Sequence, residues 1–285
     1  MPMKWPKDYR VAVCLTWDVD GEPAQYVRFP DRAAHQLSEL HQRMYGPNVG
    51  VWKVFKLLEQ YGVPGTFYIP SYTARLHPEV VEEIVRLQFP LGLHGHLHES
   101  LDTLDAEQEE SVLVRSRDIL GELVGKAPTL YRAPSWELNR GTPELLRRYG
   151  VQSDSSLMDA EVPYWLDTGN GHLLEIPIQW ILDDAEHWNH SRVNRDKAIA
   201  DPDTVFRLWS SEFDGYYDSG GCYVLTLHPF ISGRSAYMAV VERLIRYMRE
   251  FPGVWWTTMQ EVTDWSIHAE NVERRQSPPP YPISF

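Results

Sequence analysis

The run Val11-Ala12-Val13-Cys14-Leu15-Thr16-Trp17 is almost continuously apolar and stops at Asp18-Val19-Asp20-Gly21. An apolar run of strand length without regular alternation fits a strand buried on both faces, the situation in a parallel sheet covered by helices. The rest of the chain repeats this arrangement. Residues 49–61 carry helical spacing (Val51, Val54, Phe55, Leu58) and stop at Gly62, residues 65–69 read as a strand, and residues 78–88 read as a helix opened by Pro78. Residues 90–94 form a strand, 105–124 a long helix stopped by Gly125, 129–133 a strand and 142–149 a helix. Strands at 151–154, 173–179, 222–227 and 254–258 and helices at 203–214 and 235–250 complete the pattern, followed from Gln276 by an extended proline-rich tail. Strand–helix alternation of this kind predicts an α/β fold with a parallel sheet, in a single domain spanning 1–285. Residues 22–48 are long for a connection between the first strand and its helix, and are expected to be a loop insertion acting as a lid or binding loop.

The polar residues of interest fall at the C-terminal ends of these strands: Asp18 and Asp20, His94, Arg132, Asp154 and His228. That is where α/β barrels assemble active sites, and scattered surface residues have no reason to respect the rule. The net charge of -13 argues against nucleic acid and anionic membranes as partners, since both would be repelled. The two cysteines, Cys14 and Cys222, both lie in strands and read as reduced, buried thiols. No apolar run reaches membrane-spanning length, and the first ten residues lack the apolar core of a secretory signal, so a cytoplasmic location is expected. Acidic enzymes of this size are often homo-oligomers, and that state is expected here.

Asp18 and Asp20 share a strand end, so one can ligate a cation while the other stays free as a base; alone, Asp-Gly is also a common turn signal. His94-Gly95-His96-Leu97-His98 places three histidines in five residues, and Gly92 and Gly95 favour a strand end and loop over a helix. One carboxylate and two imidazoles suit a divalent ion with open positions for water and substrate. His96 could replace either neighbour, and a His-x-His pair of the amidohydrolase kind is the rival reading, although that pair belongs on a first strand and this one follows the third. Arg132 can hold a carboxylate bidentately and would fix Asp18. His228, in Leu225-Thr226-Leu227-His228-Pro229, can protonate a departing amine, and Asp183 or Asp184 can orient it or contact substrate. Tyr131, Trp136, Trp165, Trp180 and Trp188 can line a pocket or pack in the core, with Tyr131 and Trp136 the substrate-binding candidates.

In this combination the chain resembles the polysaccharide deacetylase, or NodB-homology, family. Thr16-Trp17-Asp18-Val19-Asp20-Gly21 is similar to its first motif, His94-Gly95-His96-Leu97-His98 to its second, Arg132-Ala133-Pro134-Ser135-Trp136 to its Arg-x-Pro motif and Leu225-Thr226-Leu227-His228-Pro229 to its last. The Asp and Trp motif is met only loosely by Trp180-Ile181-Leu182-Asp183-Asp184 and Trp188. The resemblance implies a distorted, seven-stranded, TIM-like (β/α) barrel. It makes Asp18 the base, Asp20, His94 and His98 the ligands of a divalent metal, expected to be Zn²⁺, and His228 the acid. A backbone N–H in residues 131–133 or in the first motif would stabilise the oxyanion.

Tyr45-Gly46-Pro47-Asn48-Val49-Gly50, Arg132-Ala133-Pro134-Ser135-Trp136 and Asp154-Ser155-Ser156-Leu157-Met158 resemble an intracellular branch. That branch holds cyclic imide hydrolases and Helicobacter-type peptidoglycan deacetylases, and it is related to metal-independent allantoinases. The expected function is hydrolysis of a carbon–nitrogen bond in a small amide or cyclic imide. The alternatives are deacetylation of an N-acetylated glycan and, from another class, a noncatalytic carbohydrate-binding descendant.

Overall fold

Alternation along the first strand decides which side chains meet. In the computed structural model, which describes residues 3–191 and 197–276, the strand Val11–Asp18 (β1) is buried along its whole length. Its odd positions, Val11, Val13, Leu15 and Trp17, join the large apolar core under the surrounding helices. Ala12 and Cys14 join a second, smaller core on the other face, with Thr16 and Asp18 continuing that row. Small residues near the start of the inward row leave room for the opposite wall of the sheet, and the polar ones at its end supply the chemistry.

Strands Thr66–Ile69 (β2), Leu91–Leu93 (β3), Leu130–Tyr131 (β4) and Ser153–Asp154 (β5) follow in order. After them come Tyr164–Thr168 (β6), Gly171–Glu175 (β7), Cys222–Leu227 (β8), Val254–Thr257 (β9) and Glu273–Gln276 (β10). Seven of these form an unbroken parallel row, β7-β5-β4-β3-β2-β1-β8. A parallel bridge between Asp183 and Thr226 brings the chain beyond β7 against β8, at the opposite end of the row. The result is the expected distorted (β/α) barrel, with β9 beside the first half of β1.

Helices cover the outer face, and their ends follow local chemistry. Ala106–Val124 opens with a capping box, in which Asp105 accepts from the Gln108 N–H at 2.9 Å and Gln108 accepts from the Asp105 N–H at 3.0 Å. It closes at Gly125, whose φ of 80° is left-handed. Helix Met259–His268 is capped in the same way by Thr258 and Glu261. Its Met259 and Val262 pack against the inward face of β1 in the smaller core. Close backbone contact matters behind the last motif. A Cβ on Gly50 would lie 2.0 Å from the Pro229 carbonyl oxygen, and one on Gly233 2.5 Å from the Gly50 Cα, so neither site has room for a side chain.

Three expectations need correction. Residues 22–48 are largely helical, not a loop: Pro23–Arg28 and Leu37–Tyr45 are α-helices, and Gly46–Gly50 continues as a π turn into the helix Val51–Tyr61. β7 is half of an antiparallel hairpin with β6, and β10 pairs with β6, neither of which was anticipated. Helix Met259–His268 was likewise missed. The proline-rich tail expected beyond Gln276 lies outside the described residues. Both cysteines are free and buried, as expected. Among the described residues, no helix is long and apolar enough to cross a membrane.

Candidate active site

Five strand ends deliver the polar residues to one end of the barrel. Asp18 ends β1, His94 follows β3, Arg132 follows β4, Asp154 ends β5 and His228 follows β8. Asp20, two residues past β1, is buried, and its Oδ1 lies 3.5 Å from His94 Nε2 and 3.5 Å from His98 Nε2. This Oδ1 is fully enclosed and has no hydrogen-bond partner. An orphaned carboxylate oxygen between two imidazole nitrogens costs free energy unless a cation sits among them.

The imidazoles are set up accordingly. His94 Nδ1 lies 2.8 Å from the Arg132 carbonyl oxygen, so its N–H points there and the Nε2 lone pair faces Asp20. Burial, outweighing the Asp20 carboxylate, pushes His98 down to about 3, with His94, Arg43 and Arg28 adding to the shift. A neutral imidazole is what a divalent ion requires. His98 reaches this position through a left-handed backbone, φ 68°, just after Gly95 at φ 72°. Asp20, His94 and His98 therefore fit a divalent ion held by one oxygen and two nitrogens.

His96 faces away. Its Nδ1 lies 2.7 Å from Ser71 Oγ and its ring meets Tyr72 edge-on, so it is not a ligand and the His-x-His reading fails.

Arg132 is completely buried. Its Nη1 donates to Asp18 Oδ1 at 2.9 Å and to Thr16 Oγ1 at 2.8 Å, while Nε and Nη2 donate to the Ser155 carbonyl oxygen and Oγ. The guanidinium lies 4.4 Å from the centre of the Tyr68 ring, which occupies the space left by the missing side chain of Gly92. Arg132 thus holds Asp18 through one oxygen, not bidentately. Asp18 Oδ2 is left 3.9 Å from His94 Nε2, on the pocket side.

His228 is held from behind by Asp184. The ring Nδ1 lies 2.7 Å from Asp184 Oδ1, the His228 backbone N–H donates to Asp184 Oδ2 at 2.9 Å, and Ser232 Oγ donates to the same oxygen. Burial disfavours the charged ring, but Asp184, Asp183 and Asp20 outweigh it and raise His228 well above its usual range. Its Nε2 lies 3.9 Å from Asp20 Oδ2. If turnover needs the imidazolium, the rate falls as pH rises through this raised value. Asp184→Asn removes the strongest raising charge, so the alkaline limb of the pH–rate profile moves to lower pH. A profile left in place contradicts the role of Asp184.

The pocket has a volume of about 220 Å³. Trp136 and Trp180 form one wall, stacked with ring centres 4.4 Å apart. Asp183 also lines it, and its carboxyl is pushed up to about 7, by burial first and by Asp184, against the pull of His228.

Several expectations are corrected here. Tyr131 is not at the pocket: on β4 it points outward into the large core, opposite in parity to Arg132. Asp184 is completely buried behind His228 and orients that ring instead of meeting substrate. Trp188 packs in the core against Tyr237, and Trp165 packs against the smaller core. The N–H groups of Arg132 and Ala133 are bonded to the Leu93 carbonyl oxygen and to Ser156 Oγ, so neither is an oxyanion donor. Sequence reasoning missed Arg28 and Arg43, which the two helices of residues 23–45 bring to the pocket, and Lys197, which also lines it. Leu40 and Met44, four apart, signalled the second helix, but no motif marked Arg43.

Compared with known proteins, residues 45–153 match the family model described as polysaccharide deacetylase, a stretch that includes His94, His98 and Arg132. A polysaccharide deacetylase-family structure from Mycobacterium smegmatis is 36% identical, with a TM-score of 0.93 and coverage of 98% of this chain and 97% of that one. The peptidoglycan deacetylase of Helicobacter pylori is 28% identical over 253 residues, which is 79% of this chain and 86% of the relative. The Puue allantoinase, 21% identical with a TM-score of 0.83 over 95% of this chain and 94% of its own, shares the fold.

Proposed function

This chain belongs to the polysaccharide deacetylase family, and we propose that it hydrolyses a non-peptide carbon–nitrogen bond in a small amide or cyclic imide. The reading rests on one constellation: the orphaned Asp20 Oδ1 between His94 and His98, with Asp18 Oδ2 on one side and His228 Nε2 on the other. A divalent ion held by Asp20, His94 and His98, for which Zn²⁺ is the expected choice, supplies Lewis acidity that makes a water more acidic and polarises the carbonyl.

The residues of the chain do the rest. Arg132 occupies Asp18 Oδ1 and fixes the carboxylate, which leaves Oδ2 as the proton acceptor for the attacking water. Asp184 fixes the His228 ring through Nδ1, which leaves the Nε2 proton for the departing nitrogen. Water oxygen bonds to the carbonyl carbon, the C–N bond breaks, and the products are a carboxylate and an amine or amide nitrogen. Trp136 and Trp180 offer a flat apolar wall for a planar ring.

Substrate size favours the small amide. A space of about 220 Å³, lined by Arg28 and Arg43 among others, is below the usual range for drug-sized ligands and suits a small substrate. A second reading, deacetylation of an N-acetylated glycan, is favoured by Trp180, which is 45% exposed beside the pocket, and by the likeness to a peptidoglycan deacetylase. The two are separated by following ring opening of succinimide, glutarimide, hydantoin and dihydrouracil alongside acetate release from N-acetylglucosamine oligomers. Ring opening without acetate release is expected. Acetate release alone overturns the small-amide reading, and sugar binding with no turnover of any kind would mean a noncatalytic descendant.

A further inference from the structure

The chain carries 27 lysines and arginines against 40 acidic residues, yet Arg28, Arg43 and Lys197 all line this one small pocket. The three are not equivalent. Lys197 Nζ is engaged by Glu186 Oε2 at 2.9 Å and by the Ala185 carbonyl oxygen at 3.0 Å. Arg43 is buried, stacks 4.9 Å from the centre of the Phe230 ring and reaches Asp20 Oδ2 only at 3.4 Å. Arg28 ends the helix Pro23–Arg28, is exposed, and among the described residues its guanidinium has neither an ion-pair nor a hydrogen-bond partner. It stands close enough to Arg43 for its charge to act against the second guanidinium. Arg43 is balanced by Asp20 and by the buried Glu39, and Lys197 by Glu186, which leaves Arg28 as the pocket cation whose donors are not taken up by a described residue. A guanidinium with free donors at a half-enclosed site is suited to a planar carboxylate, which it can grip through two parallel hydrogen bonds.

We propose that Arg28, supported by Arg43, forms an anion subsite, and that the preferred substrates are small amides or cyclic imides that carry a carboxylate. This rests on the reading of the pocket as the site of a small-amide hydrolase and narrows its substrate class. The reacting carbonyl lies toward Asp20, His94 and His98, and the carboxylate substituent lies toward the helices of residues 23–45. Those helices occupy the segment expected from sequence to be a lid, and under this proposal they select by charge.

Matched pairs test it: hydantoin against hydantoin-5-acetate, and dihydrouracil against its 6-carboxylate, with wild type and Arg28→Gln. The carboxylated member is expected to be preferred, with Arg28→Gln raising its KM about tenfold and changing that of the neutral member far less. Arg28 is exposed, so the substitution leaves the fold intact. A neutral member preferred by wild type, or an equal change for both members, overturns the subsite. Calorimetric titration with succinate gives a readout independent of turnover, with binding expected to weaken about tenfold in Arg28→Gln. Equal succinate binding by the two proteins overturns the subsite even if imides are hydrolysed. Weakened succinate binding without hydrolysis of any member of either pair upholds the subsite and rejects the small-amide reading instead.

Discussion

Asp18→Asn is expected to lower turnover by about a thousandfold while leaving bound metal and thermal stability close to wild type. The prediction follows from how the carboxylate is divided. Oδ1 accepts the Arg132 hydrogen bond at 2.9 Å, and the asparagine carbonyl oxygen can keep it. Oδ2, on the pocket side, becomes an NH₂ group that cannot take a proton. The substitution therefore removes the base with little disturbance of the arginine. Metal loss in Asp18→Asn would make Asp18 a ligand. Turnover within a fewfold of wild type would mean that another group accepts the proton.

Arg132→Ala is expected to be the most damaging single substitution for the fold. It removes a fully buried cation that donates to four acceptors and covers the Tyr68 ring. Asp18, itself buried, is left as an unpaired anion, and the buried Asp154, which meets Glu175 across β5 and β7, loses the Arg132 charge that favours its ionised form. Removing one partner of a buried ion pair costs about 3–5 kcal/mol. Equilibrium denaturation should show a loss of that size, with Arg132→Lys recovering part of it because the charge returns without the planar fork. A loss below about 1 kcal/mol would mean that the Arg132–Asp18 pair contributes little to stability.

Much of the fold was legible because the barrel strands follow a simple rule. β1 and β8 are apolar runs that end in charged or ionisable residues, and the helices between strands carry clear stops at Gly62 and Gly125. The grouping of Asp20, His94 and His98 was legible because these residues lie close to strand ends, where the fold fixes direction. Tyr131 was misplaced although strand parity already contained the answer: it sits one position before Arg132, and neighbours on a strand face opposite ways. Asp183 and Asp184 could not be separated by sequence, since only the bridge from Asp183 to Thr226 decides which of them backs His228. β6 and β10 carry mixed polar residues and short lengths, so periodicity says little about them. Arg28 and Arg43 were invisible because they reach the pocket from helices in a segment without strand or motif signals.

The central claim is that Asp20, His94 and His98 hold an ion on which hydrolysis depends. It is tested most directly by stripping the protein with chelator, titrating Zn²⁺ back, and following bound metal and turnover together, with His94→Ala/His98→Ala as control. The account predicts about one ion per chain, with turnover rising in proportion to occupancy, and neither binding nor turnover in the double variant. Full turnover by the stripped protein, or undiminished metal binding by the double variant, would contradict it.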